Sequence, residues 1–228
     1  MTAIVLAACF LPVSHFGISS SRLREFLVRI CGEQPYRGLY SLVSLGAFTW
    51  LITAYRSAPT DIIWIAPAGL RLAMLVVVLA GFVLAVVGIT TPNPTVVGAE
   101  KLFDRPDIVH GVLRVTRNPF LWGVGLWALA HIVSTGDLAS MLMFGSVGAL
   151  GLVGTVLIDA KKARRHGMQW KAFAALTSSV PFLAIAQRRQ QLVVAEIGWW
   201  RIALAVVLFL VALLGHRWAF GVSPLPGI

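Results

Sequence analysis

The sequence has few charged residues, and acidic residues are the scarcest of them. Of 228 residues, 12% are charged, only nine are Asp or Glu, and 58% are hydrophobic. Soluble domains carry about 25% charged residues, whereas the mean hydropathy of this chain is +0.84. The chain therefore lacks the polar surface of a water-soluble protein, and its composition predicts an integral membrane protein.

Cysteine is equally scarce, since Cys9 and Cys31 are the two in the sequence. Two cysteines, one in an apolar run and one in a basic stretch, exclude a disulfide framework and predict reduced, structural thiols. Residues 1–19 also lack the basic start and the small-residue cleavage site of a secretory signal peptide. We expect them to form a first membrane helix that is retained.

Long apolar runs are abundant, and six of them approach the roughly 20 residues that a transmembrane helix needs. The sequence therefore predicts an all-α, polytopic membrane protein that forms a single domain over residues 1–228. The predicted spans are 1–18, 38–56, 71–90, 119–134, 138–158 and 199–219.

Basic residues fall in alternate connections between these spans. Sixteen of the nineteen Lys and Arg lie in the first, third and fifth connections, at 19–37, 91–118 and 159–201. By the positive-inside rule, these connections face the cytoplasm and both termini lie outside it. The net charge of +10 therefore predicts contact with membrane lipid headgroups, with no role in nucleic-acid binding.

Two further segments have distinctive composition. Residues 171–186 are apolar but too short and interrupted to span a bilayer, so we expect an interfacial or re-entrant segment there. The fifth span carries glycines at every third position, which allow close helix packing or leave a slot for a flat ligand. These glycines are Gly145, Gly148, Gly151 and Gly154.

Three histidines, His15, His131 and His216, fall within apolar runs. Ionisable groups inside a membrane are costly and are functional candidates by default. Such a histidine hydrogen-bonds to a neighbouring helix, relays protons or ligates a metal. Zinc usually has four ligands, often including cysteine or carboxylate, whereas haem takes one or two axial imidazoles.

Depth along the helices distinguishes the three histidines. At 1.5 Å per residue, His131 lies ~21 Å beyond Arg117 and His216 lies ~22 Å beyond Arg201, whereas His15 lies only ~10 Å before Arg22. His131 and His216 are therefore level on straight helices. Arg114 and Arg117 lie near the membrane face, where their charges suit haem propionates.

Four segments resemble the NnrU family, which is related to the plant and cyanobacterial 15-cis-zeta-carotene isomerases. The similarity runs nearly end to end. The segments are PNPTVVG (92–98), GVLRVTRNPFLWGVGLWALAHIVSTGD (111–137), TSSVPFLAIAQRRQ (177–190) and GWWRIAL with HRWAFGVSPLP (198–226).

The resemblance implies a multi-pass protein of the bacterial inner membrane, linked to nitric oxide and nitrite reduction. The isomerase relatives imply haem b held by histidines and a polyene substrate with a central cis double bond. Residue by residue, the family's ligand positions match His15 in SHFGIS and His131 in WALAH. The resemblance thus favours His15 and His131 as metal ligands, with His216 in reserve.

One motif position departs from the family, which usually has Arg-His-Pro where this chain has Arg117, Asn118 and Pro119. Asparagine hydrogen-bonds but carries no charge and is no ordinary haem ligand. The same region more distantly resembles membrane isoprenylcysteine and phospholipid methyltransferases. Three functions stay open: a haem-dependent carotenoid isomerase, a non-enzymatic accessory to the nitric oxide reductase system, and a membrane methyltransferase.

Overall fold

Over the residues that the structure describes, the chain folds into helices and connecting loops, with one isolated β-bridge between Ile62 and Asp137. The structure is a computed structural model that describes residues 1–19 and 22–225; Pro226, at the end of the C-terminal motif, lies outside these residues. The helices are α1 (Thr2–Ser19), α2 (Arg22–Cys31), α3 (Glu33–Arg56), α4 (Ala68–Thr90), α5 (Val112–Val115), α6 (Pro119–Thr135), α7 (Leu138–Leu176), α8 (Leu183–Ala186), α9 (Val194–Ile197) and α10 (Trp199–Phe220), with a 3-10 helix at Glu100–Asp104.

Five of these helices, α1, α3, α4, α7 and α10, are long and apolar enough to cross a membrane, and α6 is a shorter apolar helix of 17 residues. These six helices coincide with the six predicted spans. The all-α, polytopic membrane architecture is thereby confirmed. The apolar side chains that remain exposed on these helices are the surface that faces lipid.

The six helices pack in the order α3, α1, α7, α6, α4, α10, each contacting chiefly the next. Helix α6 lies in the middle and contacts α4 and α7 closely because small residues line both of its faces. A Cβ on Gly123 would lie 2.6 Å from the carbonyl oxygen of Gly81 on α4. A Cβ on Gly151 of α7 would lie 2.7 Å from the carbonyl oxygen of Leu121. Such close backbone approach stabilises helix pairs in lipid.

Helix α7 is longer than its predicted span. It continues from the apolar part through the charged residues to Leu176, with a kink at Gly167, where φ is +44°. A helix does not end where the membrane ends, because Ala, Lys and Arg favour helix in water as well. Residues 171–176, expected to belong to an interfacial segment, form the last turns of α7 after the kink, and α8 follows after a loop.

An amphipathic helix that the sequence analysis did not predict lies in the first connection. Helix α2 exposes Leu23, Phe26 and Ile30, which recur on one face, and carries Arg24 and Arg29 among its polar residues. This pattern is typical of a helix that lies in the membrane interface.

The two ends of the bundle are defined by their loops. We call the end that holds the connections 22–37, 91–118 and 159–198 the basic end, and the other the opposite end. At the opposite end the α3–α4 loop closes over the α6–α7 turn, where Ile63 and Trp64 both donate backbone N–H groups to the carbonyl of Gly136. Gly136 has φ +70°, and a Cβ there would collide with the carbonyl oxygen of Trp64.

Candidate functional site

A buried cluster of polar side chains lies at the basic end, at the start of α6. We call Asn93, Thr95, Arg117, Asn118 and Asp159 the inner polar cluster. Arg117 Nε donates to both Asp159 oxygens, at 2.9 Å and 3.1 Å, and Nη2 also donates to Oδ2. The two side chains are 14% and 18% exposed. The charges of Arg117 and Asp159 are thus paired where neither is fully hydrated.

The backbone around Arg117 is fixed from two other segments. Its carbonyl accepts from Asn93 Nδ2 at 3.0 Å and from Thr95 Oγ1 at 3.2 Å, and its N–H donates to the carbonyl of Ser178 at 2.9 Å. The guanidinium also lies 5.3 Å from the ring centroid of Trp170, within the range of a cation–π contact. Three loops at the basic end are therefore tied together at one residue.

Asn118 joins this cluster and precedes Pro119, the first residue of α6. It is 3% exposed, and its Nδ2 donates to Asp159 Oδ1 and to Ser179 Oγ, both at 3.2 Å. Its Oδ1 has no hydrogen-bond partner. Asn118 is thus a neutral donor to Asp159, with one acceptor atom left over.

An apolar cleft of about 430 Å³ lies beside Asn118, between the ends of α4, α6 and α7. Its rim exposes Ile89, Val96 and Phe120, which are 67%, 53% and 46% exposed. The mouth of the cleft is therefore apolar, at the basic ends of α4 and α6. Its volume is in the range of about 300–1,000 Å³ typical of small-molecule sites.

Arg114 makes a second ion pair at the basic end. Its Nε and Nη2 donate to the two carboxylate oxygens of Glu196 at 2.7 Å and 2.9 Å, and Nη1 donates to Gln190 at 2.7 Å. The hydrogen bonds from Arg114 and from the N–H of Gly111 hold the pKa of Glu196 below its usual value, against a smaller opposing effect of burial. The pair ties the segment before α6 to the segment before α10.

The histidine predicted in the central helix lies in an aromatic pocket at the opposite end. His131 lies between Trp127 and Phe144, at ring-centroid distances of 4.5 Å and 4.7 Å. Its Nδ1 is 2.8 Å from the backbone carbonyl of Trp127, so it carries the proton and leaves the Nε2 lone pair unshared. Metal-ligating histidines are usually oriented in this way.

His15 has different surroundings, at the basic end of α1. The hydroxyl of Tyr40 on α3 lies 2.8 Å from each of its ring nitrogens. The ring also meets Phe16 edge-on. This is the arrangement of a histidine that hydrogen-bonds to a neighbouring helix.

The structure places His15 and His131 far apart in depth. His15 contacts Tyr40 on α3, whereas Phe144, which contacts His131, also contacts Tyr55 on α3. Fifteen residues of helix separate Tyr40 from Tyr55, or ~22 Å. His15 and His131 therefore lie at different depths in this arrangement, with His15 nearer the basic end.

His216 lies at the same end as His131. Its Nδ1 is 2.9 Å from the carbonyl of Val222 and its ring is tilted against Phe220, so its Nε2 has no partner among the residues that the structure describes. Among the described residues, no group of three or more His, Cys, Asp or Glu is placed to hold a metal ion.

The arginines predicted to meet propionates are not near His131. Arg114 and Arg117 precede α6, and His131 is twelve residues beyond Pro119, which is ~18 Å along the helix. Both guanidinium groups are engaged by Glu196 and Asp159. The structure therefore separates the predicted site residues into two groups. One group, toward the basic end, contains His15, Arg114, Arg117 and Asn118. The other group, at the opposite end, contains His131 and His216.

Sequence reasoning did not assign the carboxylates that hold these arginines. Asp159 and Glu196 lie 42 and 82 positions from their partners, so no local motif links them. The scarcity of acidic residues could have indicated these partners. With nine acids for nineteen bases, a carboxylate at the end of a membrane span is expected to pair with a buried arginine.

This fold and this site define a multi-pass helical membrane protein with a buried Arg-Asp pair at one end and an apolar cleft above it. A sequence profile described as NnrU protein matches residues 3–224. The chain belongs to the NnrU family.

Two curated relatives are similar to most of this chain. It is 28% identical over 196 residues to a chloroplastic 15-cis-zeta-carotene isomerase of Zea mays and 26% identical over 197 residues to that of Arabidopsis thaliana. Each match covers 83% of this chain and 52% of the relative, so the chain spans about half the length of the curated relatives it matches. No solved structure matches the chain significantly.

Proposed function

We propose that this protein is a membrane cis–trans isomerase that acts on a carotenoid-like polyene. The observation that carries the proposal is its similarity to two isomerases named for a 15-cis carotene, over 83% of its length. The apolar cleft supports it, because a polyene dissolved in lipid can enter sideways without crossing water.

Cis–trans isomerisation does not require a general acid or a general base. Rotation about a carbon–carbon double bond forms and breaks no σ bond, so no leaving group or transferred proton has to be stabilised. The protein has to bind the chain, hold one half and let the other half turn. The rigid base of the cleft, formed where Asn118 and Pro119 begin α6, suits the holding role.

We propose haem b as the cofactor, with His131 as a ligand and His216 as the second candidate ligand. A bound haem supplies a redox-active iron that lowers the barrier to rotation of a polyene double bond. In support, both imidazoles turn Nδ1 to a backbone carbonyl and leave Nε2 unshared. His15 is paired with Tyr40 instead, at a different depth.

For location, we propose the bacterial inner membrane, with the basic end in the cytoplasm and both termini on the other side. The distribution of Lys and Arg supports this orientation. The basic connections would then lie against anionic headgroups, where each basic residue near the surface adds about 1 kcal/mol of attraction.

The test is an isomer analysis in a bacterial strain that accumulates 15-cis-zeta-carotene in darkness. Expression of this chain is expected to shift the 15-cis carotenoid to the 15-trans isomer, measured by chromatography against a strain with an empty vector. The Zea mays enzyme serves as the positive control. An unchanged isomer ratio, with the positive control active and this chain inserted in the membrane, would refute the proposal.

A further inference from the structure

A buried acceptor atom without a partner lies beside the apolar cleft. Asn118 is 3% exposed and its Oδ1 makes no hydrogen bond. Buried polar atoms in folded proteins are nearly always paired, so an unpaired one indicates an additional group that completes it. Asn118 lines the cleft, which is the open space beside this amide.

The orientation of the Asn118 amide is determined by its neighbours. Nδ2 lies 3.2 Å from Asp159 Oδ1 and 3.2 Å from Ser179 Oγ. Exchanging the amide oxygen and nitrogen would put an oxygen lone pair against the carboxylate of Asp159, which is repulsive. Nδ2 therefore faces the polar cluster, and Oδ1 is the free atom.

The rest of the cleft specifies the chemistry of the ligand. Ile89, Val96, Phe120 and Ile158 are among the apolar residues that line it, so the greater part of the ligand must be apolar. Its polar end must donate a hydrogen bond, because Oδ1 is an acceptor. It must also be uncharged, because the charges of Arg117 and Asp159 already pair with each other and an added ion would be buried without a counter-ion.

We infer that the cleft binds a long apolar alcohol, an isoprenoid or polyene chain whose terminal hydroxyl donates to Asn118 Oδ1. A pure hydrocarbon of the same length would leave Oδ1 unpaired and bind more weakly. This inference goes beyond the proposed reaction and does not depend on it, since the site binds the alcohol whether or not a double bond is turned.

The probe is tritiated geranylgeraniol, bound to the full-length purified protein in lipid nanodiscs and displaced by unlabelled competitors. Geranylgeraniol is expected to compete at least about 10-fold more effectively than its methyl ether, which keeps the chain and the oxygen but has no donor. Equal competition by the alcohol and the ether would overturn the inference, because it would mean that water or nothing satisfies Oδ1.

Variants identify the site. Asn118→Leu is expected to abolish the preference for the alcohol over the ether, whereas Ser179→Ala, which removes a partner of Nδ2 only, keeps it. Since Asn118→Leu also disturbs the polar cluster, Val96→Trp provides an independent test by filling the cleft from its rim. It is expected to reduce saturable binding of geranylgeraniol at least about 10-fold.

Val97→Trp is the matched control, because Val97 is the next residue, is 69% exposed and does not line the cleft. It is expected to bind geranylgeraniol as the unmodified protein does. Unchanged binding in Val96→Trp, or an equal loss in both tryptophan variants, would exclude this cleft as the site. Isomerase activity is not part of the readout, so a failure here is distinct from a failure of the proposed function.

Discussion

Arg117 and Asp159 meet across 42 positions of sequence, with the guanidinium on both oxygens of the carboxylate. Arg117 lies two residues before the start of α6. Asp159 lies on α7, at the boundary between the apolar part of that helix and its charged part. The pair therefore joins the two helices that pack together in the centre of the bundle. Asn118 also donates a hydrogen bond to this carboxylate. Asp159 therefore holds the start of α6 in place through two neighbouring residues.

Removal of this carboxylate is the first prediction. Asp159→Asn leaves Arg117 charged, mostly buried and unpaired, and breaking such a pair costs about 3–5 kcal/mol of unfolding free energy. We expect a large drop in the thermal unfolding midpoint of the protein in detergent. Because the pair and not the charge alone is needed, Arg117→Leu combined with Asp159→Leu is expected to cost less than the sum of the two single changes. Strictly additive single changes would contradict this account of the pair.

The glycine stripe of α7 gives the second prediction. Gly151 and Gly145 lie on the same helix, but a Cβ on Gly151 would lie 2.7 Å from the carbonyl oxygen of Leu121, whereas a Cβ on Gly145 would meet nothing within 4 Å. Gly151→Ala must push α6 and α7 apart and is expected to cost about 1–3 kcal/mol. Gly145→Ala is the matched control, expected to be neutral or slightly stabilising. Equal unfolding midpoints for the two variants would argue against the close α6–α7 contact.

The sequence predicted the membrane helices well because hydropathy and the distribution of basic residues act over whole segments. It missed α2, whose apolar residues Leu23, Phe26 and Ile30 lie at helical spacing inside a basic connection and were not weighed as a helix face. It also did not predict where α7 ends, since helix propensity extends beyond the apolar run.

The candidate site was harder to predict because its contacts join distant positions. The rise per residue of straight helices already predicted that His131 and His216 lie at the same depth in the membrane and that His15 lies nearer the basic end. The structure gives the same order. The resemblance favoured His15 and His131 together, which the helices separate. The partners of Arg114 and Arg117 depend on which loops meet at the basic end, and no local pattern encodes that.

The ion pair between Arg114 and Glu196 gives a prediction about pH. Hydrogen bonds from Arg114 hold the pKa of Glu196 below its usual value, so the pair stabilises the folded state above the unfolded pKa of about 4.3. That stabilisation is lost as the pH falls through the lower, folded value. Since Glu196 is 31% exposed, we expect less than about 1 kcal/mol.

The measurement is the unfolding midpoint between pH 7 and pH 3 for the unmodified protein and for Glu196→Gln. The difference between the two is expected to be constant at neutral pH and to shrink as the pH falls below about 4. Glu25→Gln, which changes an exposed carboxylate on α2, is the control and is expected to show no such convergence. A difference that grows toward low pH would mean that Glu196 is not stabilised in its charged form.

The two histidines at the opposite end give the last prediction. After reconstitution with haem b, His131→Ala is expected to lose the Soret band, because its unshared Nε2 is the best-oriented ligand atom in the aromatic pocket. His216→Ala is expected to keep haem with an altered spectrum, because His216 is the proposed second ligand. His15→Ala, which removes the imidazole that lies nearer the basic end beside Tyr40, is the matched control and is expected to leave the spectrum unchanged. If His15→Ala loses the Soret band and His216→Ala keeps it, the helices rearrange when haem binds. The different depths of His15 and His131 would then not decide which histidines ligate haem.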